Sequence, residues 1–256
     1  MSVQQDMAVS AQWTPERIRE QAAHLEPASP QEIVAWGIKE FFPNITLACS
    51  FGGVSGMVLL DMAMKVEPRI KVFYLDTDYL FPETYALRDK AAAKYDFQPL
   101  GFKSRLTMEQ QAATYGPALW TRNPDKCCEI RKVEPNVRAM AGHKAWIAGL
   151  RRDQSESRKE VQVVEWDDKF KVVKLNPLAT WTEKQVWTYL YQNDVPYNEL
   201  HNRGYPSIGC TNCTKPVNPG DDPRAGRWVG FTKEECGLHT EGDASEIQAE
   251  IDKVAK

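Results

Sequence analysis

The sequence predicts an α/β fold, a mostly parallel twisted sheet with helices on both faces, ending in an irregular mobile C-terminal tail. Short apolar runs of buried-strand type at 45–51, 70–75 and 145–149 alternate with helical stretches. The first two end in a Gly-rich turn and an acidic turn, as strands of a parallel sheet commonly do before their crossover helices. The alternation stops near residue 205, and 206–240 is rich in Pro, Gly and charge. A chain of 256 residues is long enough for one sizeable core.

Residues 13–42 read as two amphipathic helices starting at Thr14-Pro15-Glu16 and Ser29-Pro30-Gln31. Proline suits a first helical position because that N–H has no partner anyway. The run 45–51 is a strand, followed by Gly52-Gly53-Val54-Ser55-Gly56 and a helix over 57–65. A second strand, 70–75, closes on Asp76-Thr77-Asp78 and leads to a helix over 82–95. A third strand is expected at 98–102, and helices at 107–115 and 125–140. The strand 145–149 ends in Leu150-Arg151-Arg152-Asp153-Gln154-Ser155. Runs 161–166 and 170–175 alternate like a hairpin around Asp167 and Asp168. The helix over 182–192 carries a capping box, Thr182 with Gln185. A short exposed helix is expected over 244–255.

The net charge of −3 gives no global basic field, which argues against nucleic acid or anionic lipid as partner. A small anion would have to be met by locally clustered Arg and Lys. The first residues lack the basic and apolar stretches of a secretory signal, and no run approaches the ~18 apolar residues of a membrane span. Cytoplasm is therefore the expected compartment, where thiols stay reduced. Six cysteines, Cys49, Cys127, Cys128, Cys210, Cys213 and Cys236, then suggest metal binding or catalysis.

Ser50-Phe51-Gly52-Gly53-Val54-Ser55-Gly56 lies where a parallel sheet binds ligands. Its glycines let backbone N–H groups approach an anion, and Ser50 and Ser55 add hydroxyl donors. It is not a Walker loop, because no Gly-Lys-Ser/Thr follows. It resembles the loop of adenine-nucleotide alpha-hydrolase-like proteins, without their Asp. Asp76 ends the next strand on the same edge, where it could meet an adenine or ribose or simply close a turn.

Cys127-Cys128 and Cys210-Thr211-Asn212-Cys213 are two thiol pairs able to converge on one cofactor, zinc or a [4Fe–4S] cluster. Neighbouring helix positions point about 100 degrees apart, which fits two irons of one cubane better than two corners of one ion. Lys132 lies four residues after Cys128, on the same helix face. Cys236, between Lys233 and His239 in a polar tail, reads as an exposed thiol able to act as nucleophile. Cys49, in an apolar strand, reads as a small core hydrophobe.

Together these residues resemble the assimilatory adenylyl-sulfate reductases, close to the phosphoadenylyl-sulfate reductases. The matching pieces are Ser50-Phe51-Gly52-Gly53, Leu75-Asp76-Thr77, Cys127-Cys128-Glu129-Ile130-Arg131-Lys132, Gly149-Leu150-Arg151-Arg152-Asp153-Gln154-Ser155, Ser207-Ile208-Gly209-Cys210-Thr211-Asn212-Cys213, Arg224-Ala225-Gly226-Arg227-Trp228 and Glu235-Cys236-Gly237-Leu238-His239. The resemblance implies an α/β reductase domain over 1–205 and a C-terminal segment, 206–256, carrying two cluster ligands and the catalytic cysteine. It implies adenosine 5′-phosphosulfate as substrate, with its 3′-phosphorylated form or both as the alternative. Cys236 would attack the sulfur, AMP would leave, and thioredoxin or glutaredoxin would release sulfite from an S-sulfocysteine, for sulfate assimilation and cysteine biosynthesis. Cys127, Cys128, Cys210 and Cys213 would hold one [4Fe–4S] cluster per chain, structural and electrostatic in role. Ser50, Gly52, Gly53, Ser55, Asp76, Lys132, Arg152 (or its neighbour Arg151), Arg224, Arg227 and His239 would meet the substrate. Cations are needed there to cancel repulsion between a phosphosulfate and an incoming thiolate. A homo-oligomer is compatible with the sequence.

Overall fold

A computed structural model of the protein describes residues 13–239 and 244–255. Two helices, α1 (Pro15–Leu25) and α2 (Pro30–Phe41), precede the sheet. Their starts are set locally, by Thr14 accepting from the Arg17 N–H and by a capping box between Ser29 and Glu32. Strand β1 (Ile45–Ala48) leads into α3 (Val54–Val66), and β2 (Lys71–Asp76) into α4 (Pro82–Tyr95). Next come β3 (Leu100–Lys103), α5 (Met108–Tyr115), α6 (Pro124–Cys128), α7 (Glu134–Met140), β4 (Ala145–Ile147), β5 (Val164–Asp167), β6 (Val172–Leu175), α8 (Glu183–Gln192) and α9 (Ser245–Val254).

The six strands lie in the order β3-β2-β1-β4-β6-β5. All neighbours are parallel except β5, which closes one edge as an antiparallel hairpin with β6. Leu47 pairs with Val72 on one side and Ile147 on the other, so β1 runs parallel to and in register with both neighbours. This aligns their carboxyl ends into one rim, the place where parallel sheets bind ligands. One face is covered by α2, α3 and α8, whose Ile33, Ile38, Leu59, Val186 and Leu190 join Leu47, Ile147 and Leu175 in the main core. The other face packs Phe73 and Trp146 against Val133, Ala139 and Met140. None of the described helices is long and apolar enough to cross a membrane.

The helix expected over 125–140 is interrupted. Between α6 and α7, residues Glu129–Val133 form one widened π turn. Pro135 explains it: with no N–H, proline cannot close the regular bond to the carbonyl of Arg131, and the helix relaxes to a wider repeat. The C-terminal segment is irregular, as expected, but it is folded back over the rim rather than projecting from it. Its only ladders among the described residues are two single bridges, Leu80 with Cys210 and Thr214 with Arg227. The helix near the C-terminus, α9, is not simply exposed, because Ile251 is fully buried with Leu106, Leu119 and Ile130.

Candidate active site

The rim opens into a cleft of about 300 Å³. Its first wall is the loop after β1. Phe51, itself buried, has φ of 54°, a left-handed conformation that bulky residues seldom adopt and that marks strain held by the surroundings. Asn198 donates to the Phe51 carbonyl at 3.1 Å, and His201 bonds the Gly52 carbonyl at 3.0 Å. These two contacts restrain the loop carbonyls. Gly53 is the N-cap of α3. Gly52 is required by close approach, since a Cβ there would stand 3.2 Å from Ile208.

Of the residues expected to meet substrate, Ser50, Gly52, Gly53, Ser55, Lys132, Arg224, Arg227 and His239 line this cleft together with Cys236. Two do not. Arg152 turns away and pairs with Glu26 at 2.5 and 3.0 Å. Its neighbour Arg151 takes the cleft position, buried, with Nη1 2.6 Å from Ser55 Oγ and Nε 2.8 Å from Asp153. Successive side chains of this extended-to-3₁₀ turn point to different sides, so only one of the pair can face inward. Asp76 is buried behind the rim, where it accepts from Tyr85 Oη at 2.7 Å and stands 3.7 Å from Lys103. Its neighbour Thr77 lines the cleft instead.

Cys236 was expected on an exposed tail; it is half-buried in the cleft. Glu235, one residue earlier, anchors it through a two-pronged bond with Arg158, 2.7 Å on each side. Lys169 donates to the Gly237 carbonyl at 2.7 Å, and His239 stacks on Trp146 with ring centroids 5.7 Å apart. Burial pushes the Cys236 thiol up, but the Lys132 ammonium and a backbone bond from Leu238 outweigh it and hold the thiol below its ordinary value. Burial, with Lys174 and Arg158 nearby, holds His239 well below the usual imidazole range, so it is neutral at pH 7. Of the cleft's arginines, Arg151 is the expected alternative to Arg152, whereas Arg158 was not anticipated.

A second, smaller cavity adjoins the first. Cys127, Cys128, Cys210 and Cys213 all line it, with Arg131, Lys132 and Trp228. The first pair ends α6, which Asn123 caps at the Lys126 N–H. The second pair sits on a tight turn pinned by Thr211 N to Tyr79 O at 2.8 Å and Trp228 N to Cys213 O at 3.2 Å. Thr77 Oγ1 lies 3.3 Å from Cys210 Sγ. Burial, with the neighbouring thiols, pushes Cys127 up to about 11, and burial pushes Cys128 up to about 12. These thiols resist losing protons unless a cation replaces them. Arg131 is buried against Asp78 (2.9 Å) and Gln111 (2.6 Å), yet its Nη2 has no partner among the described residues. Four thiols and an orphaned guanidinium N–H form a donor set that fits an anionic, thiolate-ligated group. Among the described residues no three His, Cys, Asp or Glu side chains gather as they would around a single ion.

Cys49, by contrast, is a core residue: it is buried, and burial pushes its thiol up to about 12.

A Gly-rich loop, a ring of cations and a thiol held below its ordinary pKa share one α/β rim, the arrangement of a nucleotide-type enzyme. The chain belongs to the phosphoadenosine phosphosulfate reductase domain family, whose model matches residues 44–216. It is 51% identical over 221 residues to a phosphoadenosine 5′-phosphosulfate reductase of Gloeobacter violaceus, covering 85% of this chain and 91% of that one. It is 49% identical over 209 residues to an adenosine 5′-phosphosulfate reductase of Lysinibacillus sphaericus, covering 81% and 89%. The crystal structure of a phosphoadenylyl-sulfate reductase from Candida auris in complex with phosphate is 35% identical, with a TM-score of 0.70 over 79% of this chain and 98% of that one.

Proposed function

We propose that the chain reduces adenosine 5′-phosphosulfate to sulfite and AMP in cytoplasmic sulfate assimilation, with Cys236 as nucleophile. The observation that carries this is the placing of an activated thiol opposite an anion loop, among Lys132, Arg158, Arg224 and Arg227. The Cys236 thiolate attacks the sulfate sulfur; the Sγ–S bond forms as the S–O bond to phosphate breaks, and AMP leaves with that electron pair. The surrounding cations offset the repulsion between thiolate and phosphosulfate. A dithiol protein, thioredoxin or glutaredoxin, then attacks the Cys236 sulfur, expels sulfite and is oxidised to its disulfide while Cys236 returns to the thiol. Cys127, Cys128, Cys210 and Cys213 would hold a [4Fe–4S] cluster, which would supply fixed shape and local charge beside Lys132 rather than electrons.

Cys236→Ser should bind nucleotide but form no sulfite; sulfite release from that variant would sink the assignment. Anaerobic purification with metal analysis should give about four iron and four sulfide per chain, and zinc alone would refute the cluster. The 3′-phosphorylated substrate is the second reading, favoured by the name of the Gloeobacter violaceus relative and by an anion loop without carboxylates. A higher kcat/KM for that nucleotide than for adenosine 5′-phosphosulfate would decide for it.

A further inference from the structure

The floor of the cleft holds polar atoms that nothing satisfies. Asn136 is 1% exposed, and neither its Nδ2 nor its Oδ1 has a hydrogen-bond partner among the described residues. Trp146 is 1% exposed and its Nε1 is equally unpartnered. Both line the cleft. Buried polar groups in folded proteins are nearly always paired, so two such side chains in one cleft, beside His239 whose Nδ1 also has no partner among the described residues, ask for a ligand. Their neighbours say which part of it. Asn136 lies one helical turn beyond Lys132. Trp146 carries His239 stacked on its ring. Leu238 packs into the same layer as Trp146 and Val133, and a Cβ on Gly237 would stand 3.5 Å from Val133. Segment 236–239, with the nucleophile, therefore lies over this floor.

We infer that Asn136 and Trp146 form a neutral floor that holds the sulfonyl oxygens, first on the substrate and then on Cys236. The inference rests on the reductase reading and assigns the end of the substrate these residues meet. A sulfonyl group offers three acceptor oxygens and no proton, so its complement is donors only. Trp146 Nε1 can only donate, and the Asn136 amide donates through Nδ2 while turning Oδ1 toward the Lys132 ammonium. One side chain thus orients both the anion and the cation that neutralises it. Neutral donors suit the task. Once AMP has left, the sulfonyl must be retained on Cys236 yet still depart as sulfite, and further fixed charge would hold the departing dianion back.

The test compares adenosine 5′-phosphosulfate with AMP, which lacks the sulfonyl. Wild-type protein mixed with the phosphosulfate and no reductant gains one SO₃ on Cys236, read by intact and peptide mass. In Asn136→Leu and in Trp146→Phe, which keeps the ring and drops the N–H, this sulfonation slows about tenfold or more while AMP affinity stays within about twofold. Asn136→Asp, which sets an anion against an anion, is slower still than Asn136→Leu. Asn136→Leu melts no lower than wild type, because it removes an unsatisfied buried amide. Wild-type sulfonation rates in both variants overturn the inference. So does AMP affinity that falls in step with sulfonation, since that marks a merely structural role. If wild-type protein is never sulfonated on Cys236, the reductase reading itself fails, and the inference with it.

Discussion

The Arg158–Glu235 bridge should set how firmly Cys236 is held in the cleft, and Glu235→Gln tests this. Exposed ion pairs contribute about 0–1 kcal/mol, whereas removing one partner of a buried pair costs about 3–5 kcal/mol. Here the two side chains are 12% and 11% exposed, with two bonds of 2.7 Å and Arg224 a further 3.6 Å away. Glutamine keeps one acceptor, so the loss should lie between these limits, at about 2–3 kcal/mol. That corresponds to roughly a 30- to 150-fold shift in tail docking. Hydrogen exchange on peptides spanning 229–239 should lose protection by that factor, while β1 and β4 stay protected. The pH dependence follows from the carboxyl. Burial raises its pKa, but the Arg158 hydrogen bonds outweigh this and hold it below the usual range. A depressed carboxylate contributes fully above its unfolded value, about 4.3, and is lost only as pH falls through the lower folded one. Tail protection should therefore be flat from pH 8 to 6 in wild type. A variant whose tail exchanges within about threefold of wild type would refute the anchoring role.

Lys132→Met removes the cation that offsets burial at Cys236, so the midpoint for iodoacetamide alkylation of Cys236 should move up from its lowered position past the ordinary thiol value; an unmoved midpoint assigns the activation elsewhere. Arg151→Ala should lower kcat/KM by about tenfold or more through loss of the Ser55 and Asp153 contacts. Arg152→Ala should cost about 1 kcal/mol of stability through the partly exposed Glu26 bridge and leave kinetics alone. Gly209→Ala should raise KM with little change in Tm, because its Cβ would overlap the movable Arg227 guanidinium rather than backbone. A variant with wild-type KM would show that Arg227 does not need that position.

The strands at the rim were legible because buried parallel strands are continuous apolar runs, and the Gly-rich loop followed from its place between strand and helix. Individual orientations were not. Whether Arg151 or Arg152 faces the cleft depends on Glu26, a partner 126 residues away in sequence. Asp76 was assigned to the cleft because it ends β2, but the Tyr85 hydroxyl on α4 draws it behind the rim. Cys236 was read as exposed because its neighbours are charged. Those charges are satisfied by distant partners, Glu235 by Arg158 and Lys233 by Asp125, so a polar stretch lies folded against the protein. Arg158 carried no local signal, since it follows a loop with no periodicity.

Lys132 lines both cavities; burial and Arg227 oppose its charge, but Cys210, Cys236 and Cys128 outweigh them and favour the ammonium. One ammonium therefore serves two anionic neighbourhoods at once. Two sites that draw on a shared charge are thermodynamically linked, and the linkage is reciprocal. Whatever factor the occupant of the four-thiol cavity imposes on nucleotide affinity, bound nucleotide must impose on retention of that occupant. The affinity with which the thiol site holds any occupant is thus a reporter of how full the cleft is, readable with no turnover at all.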